Sequence, residues 1–491
     1  MNNTPIRKLS NALIPAGENR VRLVDIHFDD RIRQIVEKLN APIEWGVIRD
    51  RESWMAFKRE NNVPEPSAGP GEDSAGGWLL IPGAVDSHVH FNTPGFEDRE
   101  DFEHGSLAAV HGGVTTVIDM PCTSLPPVTT SENLQRKAAA LENRSFADYV
   151  FWGGVRGNDF REGRDIGNQI RELAGAGVAG FKTYLISGME TFGDLTPEEM
   201  RQAAGWIRKT GLPMAVHAED RNLVLSRRSR LQAENRRDWR AYCQARDNLA
   251  ESTAVETVIR IARETGVRLH IVHLSSKEGL EKVRAAQQDG LPVTAETCPH
   301  YLHFTQKDFE NPRISAFLKT APPVKTEADR EALWEGLRNG SLLFVTTDHA
   351  GCNPEREKSS PDFWQVYGGI PGVEHRVPFL FSEGFLKNRL SLQQSVDLLS
   401  ANAARYFGLY PQKGSLQIGS DADFALLNLW ESVTVKAREM HSKGKYTPFE
   451  GITFNARVER TWLRGKVVAQ AAGKAEAVSG FGQRIRIRIN H

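Results

Sequence analysis

The feature that most constrains the fold is a repeated alternation of short strand-like runs and longer helical runs between about residues 81 and 409. The strand-like runs are rich in β-branched residues, and helical periodicity follows them. Repeated β-then-α units predict a parallel sheet, and eight of them favour a closed (β/α)8 barrel. The predicted strands are 84–91, 114–120, 149–153, 180–185, 214–217, 269–274, 293–297 and 342–347. The clearest helical intervals are 165–174, 196–210, 254–265, 277–288 and 328–339.

The two ends of the chain differ from this middle region. The strand-like runs outside it are 21–28, 42–48, 422–428, 433–437, 452–458 and 460–470. We therefore predict that both ends form one small β domain, with 1–80 as its N-terminal part, 81–411 as the barrel, and 412–491 as its C-terminal part and tail. The 491 residues of the chain suit one large barrel with a smaller companion.

Composition argues against several classes of protein. Lys plus Arg and Asp plus Glu both number 62, so the formal net charge is zero and nucleic acid is not expected as a partner. The four cysteines form no CxxC pair, which favours a reducing cytoplasm over a disulfide framework. Residues 1–20 lack the apolar core of a signal peptide, and no stretch approaches the roughly 18 apolar residues of a membrane span.

Residues of metal-ligand type recur at the predicted carboxyl ends of the strands, the face where barrel active sites lie. His88 and His90 end the first strand, and residues two apart on a strand point to the same side. The remaining four, on the fourth, fifth, sixth and eighth strands, are Lys182, His217, His273 and Asp348. Each alone has an ordinary explanation as a core histidine or a lysine whose amine reaches water. Five strands carrying such residues at one end instead favour a metal centre.

Lys182 needs a separate explanation, because a protonated ammonium has no lone pair for a cation. If the amine reacts with CO2, the resulting carbamate is an anion with two oxygens that can bridge two metal ions. Burial at an apolar strand end favours the neutral amine that this reaction requires. We therefore expect Lys182 to be N6-carboxylated.

The motifs in this order resemble the cyclic-amidohydrolase group, which includes allantoinase, dihydroorotase and hydantoinase or dihydropyrimidinase. The resemblance runs from residue 81 to about residue 465. Its main pieces are PGAVDSHVHFNTPG, GGVTTVIDMP, GFKTYL, VHAE, HIVHLSS, TAETCPHYL, TTDHAGC and GGIPGVEHR. Among the members, the motifs are most similar to those of allantoinase.

This resemblance implies a barrel with a β-sandwich built from both chain ends. It also implies that His88, His90 and Asp348 hold one divalent ion and that His217 and His273 hold another, with carboxylated Lys182 as the bridge. Zinc is the expected metal, and a homo-oligomer, either a dimer or a tetramer, is the expected assembly. All six positions carry the expected residue, which argues against a non-catalytic member of the group.

The chemistry implied is hydrolysis of a cyclic amide C–N bond by metal-bound hydroxide. A bound metal lowers the pKa of water from ~15.7 to roughly 7. The second metal polarises the ring carbonyl and stabilises the oxyanion. Asp348 is expected to take the proton and deliver it to the leaving ring nitrogen, since an amide anion leaves poorly.

The identity of the substrate depends on weaker signals. Dihydroorotases usually carry an Arg two residues after the second histidine, and this chain has Asn92, which cannot replace a bidentate guanidinium. That difference favours a neutral ureide ring. Thr123, Gly368 and Gly369 are further predicted substrate contacts, although the two glycines are equally explained by a loop that needs glycine for its φ values.

Several alternatives stay open at this stage. Dihydroorotase activity, a hydantoinase or another cyclic imide hydrolase, a non-catalytic scaffold, and a deacetylase or deaminase on the same barrel all remain; a bridging lysine speaks against a deaminase. The loop at 62–77 is predicted to be exposed, the basic helix at 221–240 to be a solvated face, and the basic tail at 484–491 has no assigned role.

Overall fold

The computed structural model describes residues 5–69, 71–471, 475 and 478–488. Its strands in chain order are β1 (Arg7–Pro15), β2 (Arg20–Phe28), β3 (Ile32–Glu37), β4 (Ile43–Glu44), β5 (Glu72–Ser74), β6 (Leu79–Pro82), β7 (Ala84–His90), β8 (Val114–Asp119), β9 (Asp148–Phe151), β10 (Gly153–Gly154), β11 (Phe181–Tyr184), β12 (Met214–His217), β13 (Leu269–Ile271), β14 (Val293–Thr297), β15 (Phe344–Val345), β16 (His349–Ala350), β17 (Phe424–Asn428), β18 (Val433–Thr434), β19 (Thr453–Phe454), β20 (Arg457–Leu463) and β21 (Lys466–Gln470).

Its α-helices are α1 (Arg51–Glu60), α2 (Phe102–His111), α3 (Ser131–Ala140), α4 (Gly157–Arg161), α5 (Ile166–Gly175), α6 (Pro197–Arg208), α7 (Arg221–Ala233), α8 (Trp239–Ala245), α9 (Asn248–Thr265), α10 (Lys277–Gln288), α11 (Pro299–His303), α12 (Glu327–Arg338), α13 (Pro354–Glu357), α14 (Arg376–Phe379), α15 (Leu392–Leu399) and α16 (Ala401–Tyr406). Local sequence sets several of their starts. Thr196 and Thr326 form reciprocal capping boxes with Glu199 and Asp329, which satisfy the first free N–H groups of α6 and α12.

The barrel strands form two parallel arcs, one ordered β16-β7-β8-β9 and the other running from β10 to β15. The two arcs meet at β9 and β10, where Trp152 N–H donates to Asp119 O at 3.0 Å and Gly153 N–H donates to Gly180 O at 2.9 Å. At their other ends, β16 continues the chain shortly after β15 and pairs with β7. The strands are buried almost throughout, as expected where helices cover a parallel sheet. The predicted α/β barrel fold class is confirmed.

Most predicted barrel elements agree with the structure to within a few residues, and three of them (214–217, 293–297 and 277–288) agree at both ends. The strands predicted at 269–274 and 342–347 are shorter than expected. His273 and Asp348 adopt left-handed φ values of 40° and 47°, which end extended structure at the positions that carry the ligand-type side chains.

Both ends of the chain meet in one nine-stranded sheet with the path β21-β20-β17-β6-β1-β2-β3, to which β4 and β5 add at the side. The rings of Phe28 on β2 and Phe424 on β17 are 5.1 Å apart. These strands are three positions apart in the sheet, which would be about 14 Å if it were flat. The sheet therefore folds over onto itself and encloses its own core.

The sequence predictions were least accurate in this sheet. They missed β1, because a β-bulge between Leu9 and Ala12, with Asn11 at a φ of 58°, interrupts the alternation of its side chains. The strand predicted at 42–48 ends at Glu44 and continues as a 3-10 turn.

Three other segments complete the comparison. The predicted exposed loop at 62–77 is buried from Asp73 to Gly77, next to the pairing of β5 with β1, so that prediction was wrong for its last five residues. The predicted helix at 221–240 is interrupted after Ala233 and resumes as α8. Of the predicted basic tail, residues 489–491 lie outside the described residues. In the part of the chain that the structure describes, no helix has the length and apolar character to cross a membrane.

Candidate metal centre

β7 carries His88 and His90 at its carboxyl end, with one residue between them. Their Nε2 atoms lie 3.1 and 3.2 Å from Oδ1 of Asp348, which follows β15. The ligand atoms of the three residues lie within 4.8 Å of one another. Two imidazoles and one carboxylate at this spacing are a donor set that suits a divalent transition-metal ion.

A second pair of histidines lies beside this group. His217 ends β12, and its Nδ1 is 3.0 Å from Nε2 of His273. The rings of His88 and His273 have centroids 5.4 Å apart, so the two groups adjoin. Burial, reinforced by the nearby positive charges of His217 and Lys182, holds the pKa of His273 well below its usual value. A neutral imidazole is the form that binds a metal.

Lys182 lies on β11 and is fully buried. Its Nζ has no hydrogen-bond partner among the described residues, and it stands 4.6 Å from the centroid of the Tyr184 ring. Burial lowers the pKa of Lys182 to about 8, although neighbouring acidic groups, including Asp348, oppose this. The Lys182 charge also acts on His217 and His273. The six predicted ligand residues are therefore brought together, and the lysine among them is an unpaired buried amine.

The sequence reasoning did not identify a carboxylate that holds the first histidine. Glu296, at the end of β14, places Oε1 2.5 Å from Nδ1 of His88, and its Oε2 lies 3.0 Å from Nε2 of His270. Although burial opposes ionisation, the two histidines hold the pKa of Glu296 well below its usual value. A carboxylate on Nδ1 fixes the tautomer that leaves Nε2 free to bind. The TAETCPHYL motif contained this residue, but only as part of the resemblance.

Glu219 holds His217, one of the second pair of histidines, in the same way as Glu296 holds His88. Its Oε2 lies 2.8 Å from Nε2 of His217 and also bonds the guanidinium of Arg246. Burial opposes its ionisation, but Arg246 and His217 prevail and lower the pKa of Glu219 to about 2. This carboxylate leaves Nδ1 of His217 to face His273. The sequence contained a signal for Glu219, because this residue ends the VHAE motif.

Two of the predicted substrate contacts occupy the same end of the barrel. Thr123 Oγ1 lies 3.2 Å from Nδ1 of His90, so this hydroxyl contacts a predicted ligand. Asn92 adopts a φ of 58°, and its buried Nδ2 has no hydrogen-bond partner within the described part of the chain. Nε2 of His300, on α11, is likewise buried without a partner there. Asn92 and His300 therefore have unused hydrogen-bonding capacity, whereas Thr123 supports a histidine.

The two predicted glycine contacts have different roles. Gly369 donates its N–H to Lys319 O at 2.9 Å, and its carbonyl accepts from both Tyr446 and Lys358. A Cβ on Gly369 would meet Ala350 O at 2.6 Å, so space and not φ requires glycine. Gly368 is exposed, and neither glycine has a left-handed φ. The backbone of Gly368 is therefore the more available of the two for a ligand.

Four positively charged side chains on loops near the site are bound to other groups of the protein. Arg99 binds Glu357, and Arg246 binds Glu219. Lys319 donates to the carbonyls of Phe363, Trp364 and Val366, while Lys358 donates to those of Ala316, Tyr367 and Gly369. The contacts of these four side chains therefore stabilise the protein itself.

A second cluster of possible metal ligands consists of three carboxylates, and a buried lysine neutralises it. Asp148, Asp421 and Asp423 lie close enough to share a cation. The Nζ of Lys413 lies 2.6, 2.9 and 2.6 Å from them, respectively. A buried ammonium therefore takes the place that a metal would need, and the cluster is a structural ion network.

Comparisons with known proteins identify the family of this chain. A model of the amidohydrolase family matches residues 79–468. The chain is 38% identical to an allantoinase of Rubrobacter xylanophilus over 422 residues, covering 85% of this chain and 90% of that protein. It is 34% identical to an L-hydantoinase of Paenarthrobacter aurescens over 413 residues, covering 83% and 88%. A solved L-hydantoinase (dihydropyrimidinase) from Arthrobacter aurescens superposes with a TM-score of 0.86 at 30% identity, covering 98% of this chain and 99% of that one.

Proposed function

Because this chain belongs to the amidohydrolase family, we propose that it opens the ring of a neutral cyclic ureide, with allantoin as the leading substrate. Its relatives make it a metal-dependent hydrolase that acts on the C–N bond of cyclic amides. Allantoinases from several bacteria are 32–38% identical to it, which favours allantoin over the other rings of the group.

We choose a neutral ring because of one observation: the positively charged side chains near the site are already bound to other groups of the protein. A carboxylate-bearing ring such as dihydroorotate needs a cation, usually a bidentate guanidinium. The position that resembles the dihydroorotase arginine is Asn92, and its amide carries no charge. Arg99, Arg246, Lys319 and Lys358 are bound to protein groups. An anionic ring would have to break one of these contacts, whereas a neutral ring would not.

The residues of the centre fit two divalent ions. We assign His88, His90 and Asp348 to one, His217 and His273 to the other, and N6-carboxylated Lys182 to the bridge, with zinc as the metal. The unpartnered Nζ of Lys182 and the two opposed histidine nitrogens support this assignment. Such ions, when bound, supply an activated water and polarise a carbonyl. A crystallographic map at Lys182 tests the carbamate, and density for an unmodified lysine would contradict it.

Asp348 is the residue to which we assign proton transfer. Its carboxylate contacts the Nε2 atoms of both His88 and His90. Although burial opposes ionisation, the charge of His88 and the hydrogen bonds to both histidines hold the pKa of Asp348 well below its usual value. It is therefore ionised and can accept a proton at Oδ. Delivery of that proton to the ring nitrogen would let this nitrogen leave as a neutral urea N–H group and not as an anion.

The test of the proposed function is hydrolysis of a matched panel by zinc-reconstituted protein. The panel contains allantoin, dihydroorotate, hydantoin and dihydrouracil. We expect selective turnover of allantoin. Turnover of dihydroorotate as the preferred ring would show that a cation leaves its present partner, and would refute the argument from Asn92 and its neighbours.

Hydantoin is the second candidate. The L-hydantoinase from Paenarthrobacter aurescens is 34% identical, and a solved L-hydantoinase (dihydropyrimidinase) covers 98% of this chain. Hydantoin has the same five-membered ureide ring as allantoin but lacks the second urea group. A higher kcat/KM for hydantoin than for allantoin would mean that no part of the site recognises that group.

Three further assignments belong with this proposal. We propose domain boundaries near residues 80 and 411; the chain leaves the folded sheet after β6, at Pro82, and re-enters it with β17, at Phe424. We propose a homo-oligomer, either a dimer or a tetramer, which light scattering of the purified protein tests. We propose a cytoplasmic location, supported by four buried cysteines that form no disulfide.

A further inference from the structure

The turn formed by Tyr367, Gly368 and Gly369 lies beside the strand end that carries Asp348. Ile370 pairs with His349, and Ala350 N–H donates to Ile370 O at 3.0 Å. The hydroxyl of Tyr446 lies 2.9 Å from Gly369 O and 3.3 Å from Ala350 O, so it links the turn to the same strand. The segment after Asp348 and the turn therefore form one connected wall of the site.

Two buried lysines hold this turn through backbone carbonyls. Lys358 Nζ donates to the carbonyls of Ala316, Tyr367 and Gly369 at 3.0, 2.8 and 3.0 Å. An ammonium has three N–H donors, and here all three are used. Lys319 gives its own N–H groups to the carbonyls of Phe363, Trp364 and Val366, and its backbone oxygen accepts from Gly369. The turn has no helix or sheet ladder of its own, so these ammonium groups, together with the hydroxyl of Tyr446 at Gly369 O, supply the hydrogen-bond donors that its carbonyls need.

The Tyr367 side chain is held equally firmly, but its hydroxyl is not used. The guanidinium of Arg99 lies 4.9 Å from the ring centroid, and Tyr367 N–H donates to Glu357 O at 2.8 Å. Arg99 itself binds the carboxylate of Glu357 at 2.8 Å. Among the described residues the hydroxyl has no hydrogen-bond partner, although the side chain is partly buried. A rigid ring therefore presents a free O–H group.

The surroundings of Tyr367 keep its hydroxyl protonated. Burial raises the pKa of Tyr367 well above its usual value, and although Arg99 opposes this, the negative charge of Asp348 adds to it. Tyr367 also acts electrostatically on Tyr184, whose hydroxyl lies 3.1 Å from Cys122 Sγ. Cys122 in turn lies 3.7 Å from Nδ1 of His90. Geometrically, the turn that carries Tyr367 adjoins β16, which begins directly after Asp348.

We propose that the hydroxyl of Tyr367 is a substrate-contacting hydrogen-bond donor, which binds a carbonyl oxygen of the cyclic amide and holds the ring against the metal centre. This inference rests on the proposed function and names a residue of the same site. The group keeps its proton throughout, so it donates a hydrogen bond and transfers nothing. A donor placed where negative charge develops on a carbonyl oxygen stabilises the transition state more than the ground state. Lys358, Lys319 and Arg99 act through Tyr367 as positioning residues.

The experiment compares Tyr367→Phe with the wild-type enzyme on whichever ring of the panel the wild type opens best. We expect kcat/KM to fall by about 10- to 100-fold, the range expected for one lost donor. Zinc content, zinc affinity measured by chelator competition, and melting temperature should stay unchanged. Tyr410→Phe is the matched control, because its hydroxyl bonds Gln417 and is not part of the site, and it should retain wild-type kinetics.

Each result separates this inference from the proposed function. A Tyr367→Phe enzyme with unchanged kcat/KM overturns the inference and leaves the choice of ring intact. Preference for another ring overturns that choice, and the comparison is then made on the preferred ring. If none of the four rings is opened, calorimetry of allantoin and hydantoin binding to both zinc-loaded proteins decides. Weaker binding by the variant supports the contact; equal or undetectable binding in both refutes it.

Discussion

At the scale of single residues, three of the four predicted ligand histidines are held by a second group that the structure identifies. His88 has Glu296, His217 has Glu219, and His90 has Thr123. Two of these partners are carboxylates, and each is itself bound by another basic group. The arrangement fixes which ring nitrogen can face a cation before any ion binds.

Glu296→Gln tests this tautomer control. The amide cannot accept from His88 and His270 as an anion does, so we expect zinc affinity to fall by about 10- to 100-fold. Chelator competition measures the affinity independently of activity. Glu335→Gln, on the exposed face of α12, is the control and should bind zinc as the wild type does. Unchanged affinity in Glu296→Gln would mean that the contact with His88 does not orient a ligand.

Asp348→Asn tests the proton path. The amide keeps the size of the carboxylate but cannot take up a proton, so we expect kcat/KM to drop by at least about 100-fold. Zinc content must be measured on the same sample, because Asp348 is also a proposed ligand. Near-normal turnover would refute the assigned role, and inactive protein that still holds both ions would support it.

At the scale of elements, strand ends and the loops after them carry the chemistry, while helices and strands set the frame. α2 illustrates a contact between the barrel and the C-terminal region. Its last residue, His111, stacks on His441 with ring centroids 3.5 Å apart, and His441 is held by Glu374. Burial together with the neighbouring His441 lowers the pKa of His111 to about 4.

This stacked pair predicts a dependence of stability on pH. The folded-state pKa of His111 lies below its unfolded value, so the unfolded chain binds the proton more readily. The contribution to stability is therefore complete above about pH 6.5 and is lost as the pH falls toward 4. At about 1.4 kcal/mol for each pKa unit, the loss is about 3 kcal/mol. Denaturant unfolding of the wild type and His111→Phe from pH 7 to 4 measures it, and parallel curves would contradict the prediction.

The loop that holds Tyr367 predicts an effect on both stability and binding. Lys358→Met removes an ammonium that is the donor to Tyr367 O and one of two donors to Ala316 O and Gly369 O, which we expect to cost about 1–3 kcal/mol. It should also raise KM by about tenfold, with a smaller change in kcat. Lys387→Met, whose ammonium makes only an exposed ion pair with Glu383, is the control. Lower stability with an unchanged KM would limit Lys358 to a structural role.

At the scale of the whole molecule, the centre joins residues from five barrel strands, and the outer sheet joins the two ends of the chain. Metal binding is therefore expected to stabilise the barrel as a unit. An ion present at about 1,000 times its Kd contributes about 4 kcal/mol. Thermal unfolding of zinc-loaded and chelator-treated protein measures this effect, and adding zinc back should restore the original curve. Superimposable curves would show that the ions bind without stabilising the fold.

The sequence by itself determined the parts of this protein that depend on local order. Period-2 alternation turned His88 and His90 to one side, helical periodicity and capping residues located helices such as α10 and α12, and repetition predicted the barrel. Hydrogen bonds and side-chain directions within a few residues decide such features, so they can be read from a short window.

The tertiary structure alone decided which distant groups meet. Glu296 reaches His88 across 208 positions, and Tyr446 reaches Gly369 across 77. The bulge that hid β1 and the left-handed φ values that shortened two strands are also imposed by neighbouring chain segments. The unpartnered hydroxyl of Tyr367 can be identified only when the hydrogen bonds of the residues around it are known from the structure. Such contacts depend on how the chain closes in space, and no local pattern encodes them.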